Sequence, residues 1–265
     1  MYQMVDKRKV VAWLEDEDRS GAATGLSAVA DNDQNVITSG DNLRFPQGYP
    51  YVYMTYFLTE FSAYPIQRAT VSQASRANNP FIMNKGIAKN FLSPNQIYDF
   101  RRKPQKWNTG EDTTVQSVED DEAGVAHKNA VVFFLTDSSN GIRGGRPPMP
   151  ITHVHTCTIG AMTTNVWTSS SLTEINALPR GEFICWGGRI HSASPAVFRL
   201  NFDNIDDRPP LIPCASETEP THPYNEYWGT SKYKFSIPDG LPSIDGLCLA
   251  SETPSEIELY LTKVK

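Results

Sequence analysis

Apolar and polar positions along this chain come in short runs broken by glycine, proline, asparagine and aspartate, a rhythm of strands and turns. The densest run, YPYVYMTYFLTEF (49–61), is rich in residues that favour strands. Period-two geometry puts Tyr51, Tyr53, Thr55, Phe57, Thr59 and Phe61 on one face, and the opposite set is also apolar, so this strand is expected to be covered on both sides. AVVFFLT (Ala130–Thr136) predicts another strand, and the second half predicts more in ITHVHTCTIGAMTTNVWTSSS, EFICWGGRI, AVFRLNF and IELYLTKV. Arg8–Leu14 reads as a short helix or an edge strand that the acidic run Glu15–Asp18 ends. Residues 20–42 read as loop around one weak strand, Val36–Thr38; residues 84–127 read as a long irregular stretch with a helix near Gln96–Arg102. A polar excursion is expected over Ser216–Lys232. No amphipathic helix longer than three turns is expected.

The same phrases occur twice. PQG at Pro46 is followed by SAYPIQR (Ser62–Arg68), and PRG at Pro179 by SASPAVFR (Ser192–Arg199). The offsets are steady: 179 − 46 = 133, 192 − 62 = 130 and 199 − 68 = 131. PFIM (Pro80–Met83) echoes PLIP (Pro210–Pro213), and FFLT (Phe133–Thr136) echoes LYLT (Leu259–Thr262). Such a period, near half of 265 residues, indicates a tandem duplication of one β-rich unit. The stretch DSSNGIRGGRPPMP (Asp137–Pro150) falls between the copies and has linker composition. The expected division is 1–137, a linker at 138–150, and 151–265.

Composition narrows function more than it names it. At 39% hydrophobic and 20% charged residues the chain is globular in type. With a formal net charge of −6 and only short basic clusters (Lys7–Lys9, Arg101–Lys103, Arg143 with Arg146), direct nucleic-acid binding is not expected. No apolar run has the length of a membrane-spanning helix, and the N-terminal residues carry no secretory hydrophobic core, so synthesis in a cytoplasm is the expectation. Cys157, Cys185, Cys214 and Cys248 form no CxxC pair and read as buried small hydrophobes or free thiols.

The sharpest chemical motif is His153-Val154-His155, whose imidazoles share a strand face as a metal site requires, with His191 as a distant third ligand. It resembles the first motif of the cupin family, but no acid occurs between Thr156 and Thr164 and the first repeat has no matching histidines near 23–25. Two half-exposed strand histidines are the plainer expectation. Acidic groups at Glu15–Asp18, Glu119–Glu122 and Asp203 with Asp206 and Asp207 are oxygen-rich enough for calcium but lack a calcium-loop spacing. Nucleotide-loop and hydrolase motifs are missing. Arg68 and Arg199, recurring at equivalent positions, read as braces of the fold or of an interface.

The segment LPRGEFICWGGRIHSASPAVFRLNF (Leu178–Phe202) resembles segments of capsid proteins of tailless icosahedral phages and viruses. The doubled β architecture is similar to the double jelly-roll major capsid proteins of membrane-containing phages and archaeal viruses. That resemblance implies an all-β fold of two tandem eight-stranded jelly-roll barrels and a non-enzymatic coat protein without cofactor or metal. It further implies homotrimers tiling a virion lattice, penton and minor capsid partners, and Lys7, Arg8 and Lys9 facing an internal membrane. Two other readings remain: a carbohydrate-binding β-sandwich stacking sugars on exposed Trp107, Trp167 or Tyr51, and a two-domain cupin-like metalloenzyme using His153 and His155.

Overall fold

In the computed structural model the described residues are 7–19, 26–27, 43–59, 66–76, 80–84, 98–119, 125–140, 142, 147–164, 166–192, 196–203, 205–211, 213–214, 228, 233–249 and 256–265. They form strands, with one short 3-10 turn at Ala74–Arg76. In the first half the strands are β1 (Arg8–Arg19), β2 (Leu26–Ser27), β3 (Leu43–Arg44), β4 (Tyr51–Thr59), β5 (Ile66–Gln73), β6 (Phe81–Asn84), β7 (Tyr98–Asp99), β8 (Gln105–Lys106), β9 (Asp112–Glu119) and β10 (Val125–Thr136). The second half carries β11 (His153–Thr158), β12 (Thr168–Ser171), β13 (Thr173–Glu174), β14 (Gly181–His191), β15 (Ala196–Asn201), β16 (Pro210–Leu211), β17 (Pro213–Cys214), β18 (Tyr233–Ile237), β19 (Ser243–Cys248) and β20 (Glu256–Lys263). The chain is all-β.

Among the described residues four sheets result, none mixing strands of the two halves. The first half pairs β1-β10-β4-β7, with β8 also on β4, and β2-β9-β5-β6, with β3 also on β9. The second pairs β13-β11-β20-β14, with β17 and β18 on β14, and β12-β19-β15-β16. In each half the first strand therefore lies beside the last, and the echoed phrases occupy matching places. FFLT and LYLT are in those last strands, β10 and β20; PFIM and PLIP meet the strands paired outside β5 and β15.

The two repeated glycines are required for different reasons. Gly48 ends a turn closed by Tyr49 N–H on Pro46 O, and its φ of 92° favours glycine. At Gly181 a Cβ would sit 2.2 Å from the carbonyl oxygen of Lys265, so the chain end can lie against it only without a side chain.

Three layers of apolar packing follow. One core fills the first half around Trp13, Phe45, Val71, Val115, Phe133 and Leu135. A second fills the other half around Phe183, Phe198, Phe202, Trp228, Leu259 and Leu261. The third joins the halves: Val10, Ala12, Tyr53, Met54, Tyr56, Val132 and Phe134 meet Trp167, Val197, Leu247 and Leu249, with Ile142 between.

Several sequence expectations need correction. The acidic run does not end the first strand: β1 continues to Arg19 because β10 pairs it residue by residue, with Asp16 opposite Lys128 and Glu17 opposite His127. Ladder pairing outweighs the low strand propensity of acids. Tyr98–Asp99 is a strand followed by a turn at Arg101–Lys103, and the stretch expected to be irregular contains β9, central in its sheet. The predicted common face of β4 is broken by a bulge where Leu135 pairs Val52 and Phe134 pairs Met54. Tyr53 consequently joins Met54 and Tyr56 between the halves, while Phe57 packs on the first-half core. Val36–Thr38 lies outside the described residues, as do most of Ser216–Lys232 and the arginines and glycines at 143–146.

Candidate functional site

The seam between the halves holds the richest side-chain network. It forms because β1, β10 and β4 carry apolar residues on both faces: one face fills the first-half core, and the other needs cover. The sheet of β12, β19 and β15 supplies that cover. Each large side chain buried there contributes about 1.5–3 kcal/mol relative to exposure.

Polar groups fix the register of this contact. Arg199, 5% exposed, donates Nη1–H to Val10 O (3.1 Å), pairs through Nε with Asp245 Oδ2 (3.1 Å), and lies 3.8 Å from the ring centre of Trp167. Arg208 Nε approaches the same carboxylate at 3.9 Å, and its backbone N–H donates to Arg8 O (2.8 Å). Arg8 Nη2 donates to Trp228 O (3.0 Å) and stacks over Tyr53. Lys9 Nζ pairs with Asp206 (3.4 Å) over the Tyr49 ring, and the Tyr49 hydroxyl donates to Asp207. Burial holds the Asp207 carboxyl above the usual carboxylate range despite that bond, and holds Lys9 below the usual amine range despite Asp206.

This network reassigns residues singled out by the sequence. Arg199 is a brace, as its recurrence suggested. Arg8 and Lys9 are buried in the seam and present no basic patch to a membrane; Lys7 alone of the three is exposed. Asp206 and Asp207 are engaged by Lys9 and Tyr49, so the acids there are not gathered around a cation. Of the supposed sugar platforms, Trp167 is 4% exposed beneath Arg199, and Trp107 is 4% exposed, edge-on to Phe45 and under Arg76. Only Tyr51 is partly open.

The histidines share a strand face as expected, with different surroundings. His153 packs edge-on to Phe183 and contacts Thr152 Oγ1; His155 is buried, its Nε2 3.2 Å from Glu174 Oε1. Burial lowers the His155 pKa more than Glu174 raises it, which favours the neutral ring. Glu174 is occupied in turn: its Oε1 accepts Leu178 N–H at 3.0 Å. His191 pairs with Glu256 while His155 pairs with Leu259, so the two lie three residues and two strands apart. They also face opposite sides, because Ile190 beside His191 points into the core. Among the described residues no group of three or more His, Cys, Asp or Glu could hold a metal ion. Cys157, Cys185 and Cys248 are buried free thiols, and burial pushes Cys157 and Cys185 up to about 12.

Sequence reasoning missed Tyr49, Asp245, Arg208 and Trp228 as seam residues. The one signal for any of them was the recurrence of Arg199, which predicted a brace without its partners. An open hollow of about 470 Å³ lies among Glu182, Asp203, Lys234, Phe235, Asp239 and Leu241, at the edge of β18. No family model matches this chain, and no curated protein or solved structure matches it either.

Proposed function

We propose that this chain is a non-enzymatic coat protein, built as two jelly rolls in tandem, whose copies associate as trimers that tile a virion shell. The observation that carries this reading is strand order. Counting eight main strands per half, the sheets run 1-8-3-6 and 2-7-4-5 in the first half (β1-β10-β4-β7 and β2-β9-β5-β6). The second half repeats both orders as β11-β20-β14-β18 and β12-β19-β15-β16. Two sheets interleaved in this way support a jelly-roll reading of each half.

The side chains support a structural role from another direction. The most elaborate polar network braces one half against the other, and the tempting metal motif is split between a core contact and a turn. Function on this reading is spread over contact surfaces, with the same chain, penton and minor capsid proteins as partners. Arg8 and Lys9 are buried, so any anionic lipid surface beneath the shell would meet exposed cations such as Lys7, Arg102 and Lys103 instead.

Sedimentation velocity and negative-stain microscopy of the purified chain test the proposal. Trimers and larger shells or sheets are expected. A stable monomer across the accessible concentration range overturns it.

A further inference from the structure

Arg8 carries a charge that the seam does not balance. The residue is 2% exposed, and its guanidinium donates Nη2–H to Trp228 O at 3.0 Å. The carboxylates of the seam are engaged elsewhere: Asp206 pairs with Lys9, Asp207 accepts from Tyr49, and Asp245 holds Arg199 and Arg208. Arg8 is left without a carboxylate partner among the described residues. The Tyr53 ring, with its centre 5.4 Å from the guanidinium carbon, offers a weak electrostatic contact but no acceptor for Nε–H. A buried cation in this position is costly, because no opposite charge offsets its desolvation.

The surroundings of Arg8 are rich in unused donors. Arg8 Nε–H and the hydroxyls of Tyr53 and Tyr233 are all buried, and none has a hydrogen-bond partner. Both tyrosines are 2% exposed. Trp228, whose carbonyl holds Arg8, packs edge-on to Tyr233 with ring centres 5.0 Å apart. Burial raises the pKa of both phenols, and Asp207 adds to the rise at Tyr233. Arg8 opposes the rise at each, so the guanidinium is within electrostatic reach of both hydroxyls. Arg101 acts on Tyr53 in the same direction as Arg8. Both hydroxyls therefore keep their protons and, with Nε–H, supply three donors beside an unbalanced positive charge.

We infer that this cluster is a binding site for a small monovalent anion of the chloride class, held by Arg8 Nε–H and by the hydroxyls of Tyr53 and Tyr233. A water molecule there would satisfy hydrogen bonds but leave the guanidinium charge uncompensated, whereas a halide does both. The close packing of the rings, with Tyr233 also stacked on Phe202 at 5.1 Å, suits a monatomic ion better than sulfate or phosphate. Asp207, the group that would oppose an anion, accepts the Tyr49 hydroxyl, and its burial favours the neutral acid. The ion ties the halves together, because Arg8 and Tyr53 belong to the first and Tyr233 to the second. Whatever the copies assemble into, the site lies inside each chain.

The test uses the full-length chain and the variants Tyr53→Phe and Tyr233→Phe, which remove the hydroxyls and keep the rings. The thermal midpoint is followed as sodium chloride replaces sodium gluconate at constant ionic strength. The parent midpoint is expected to rise and saturate, as it must when an ion binds only the folded chain. Each variant is expected to need roughly tenfold or more chloride for the same rise, since each loses one hydrogen bond to a charged acceptor. Crystals of the parent grown in sodium bromide are expected to show an anomalous bromine peak within hydrogen-bond distance of Arg8 Nε. A midpoint indifferent to the exchange, an equal chloride response in all three proteins, or bromide only at other places overturns the site.

Discussion

Replacing Arg199 by methionine removes a charge and preserves most of the side-chain volume, which makes it a sharp probe of the seam. The guanidinium is 5% exposed, and its contacts include Val10 O at 3.1 Å, Asp245 at 3.1 Å and the Trp167 ring at 3.8 Å. A hydrogen bond from a charged donor contributes about 1.5–3 kcal/mol, and a desolvated cation over tryptophan about 2 kcal/mol. Loss of the arginine also strands Asp245, whose side chain is 12% exposed and whose remaining cation, Arg208, is 3.9 Å away. Removing one partner of such a pair costs about 3–5 kcal/mol, and that is the expected destabilisation. The assay is urea unfolding followed by tryptophan fluorescence and far-ultraviolet circular dichroism, with a double-mutant cycle against Asp245→Asn. A coupling of about 1–3 kcal/mol is expected, because the partners are in contact. A cost for Arg199→Met below about 1 kcal/mol, or additive single effects in the cycle, would refute the reasoning.

Gly188 is a second test, since a Cβ there would meet the carbonyl oxygen of Glu258 at 2.4 Å; Gly188→Ala should cost about 1–3 kcal/mol in the same unfolding assay. His155 sets a pH dependence. Its pKa is lowered in the folded state by burial, so its contribution is complete above the unfolded value near 6.5 and declines as pH falls below it. His155→Leu should flatten the fall in melting temperature across that window, and an unchanged slope would count against it. The thiols of Cys157, Cys185 and Cys248 are buried, so an aromatic disulfide reagent should modify no more than one thiol in the native chain and all four in urea.

The β class and the last strand of each half were legible in the sequence, because strand identity is local: β-branched and aromatic runs bounded by turns declare themselves. The recurrence of PxG and of Arg199 even marked a turn and a brace. What tertiary structure alone decided was pairing and facing. The bulge that sends Tyr53 toward the seam arises from the register of β4 on β10, which no single segment encodes. β1 runs through its acids because a partner strand holds them, and Arg8 and Lys9, which read as solvated charge, are drawn inside by carbonyls and carboxylates about 200 residues away. Aromatic residues gave no sign of which would be covered: Trp107 and Trp167 lie beneath arginines, and among the described residues exposure falls instead to Val154, Ile82 and Ile175. Local propensity made these residues into strands, but burial depends on what another sheet brings against them, and that is settled only when the chain has folded.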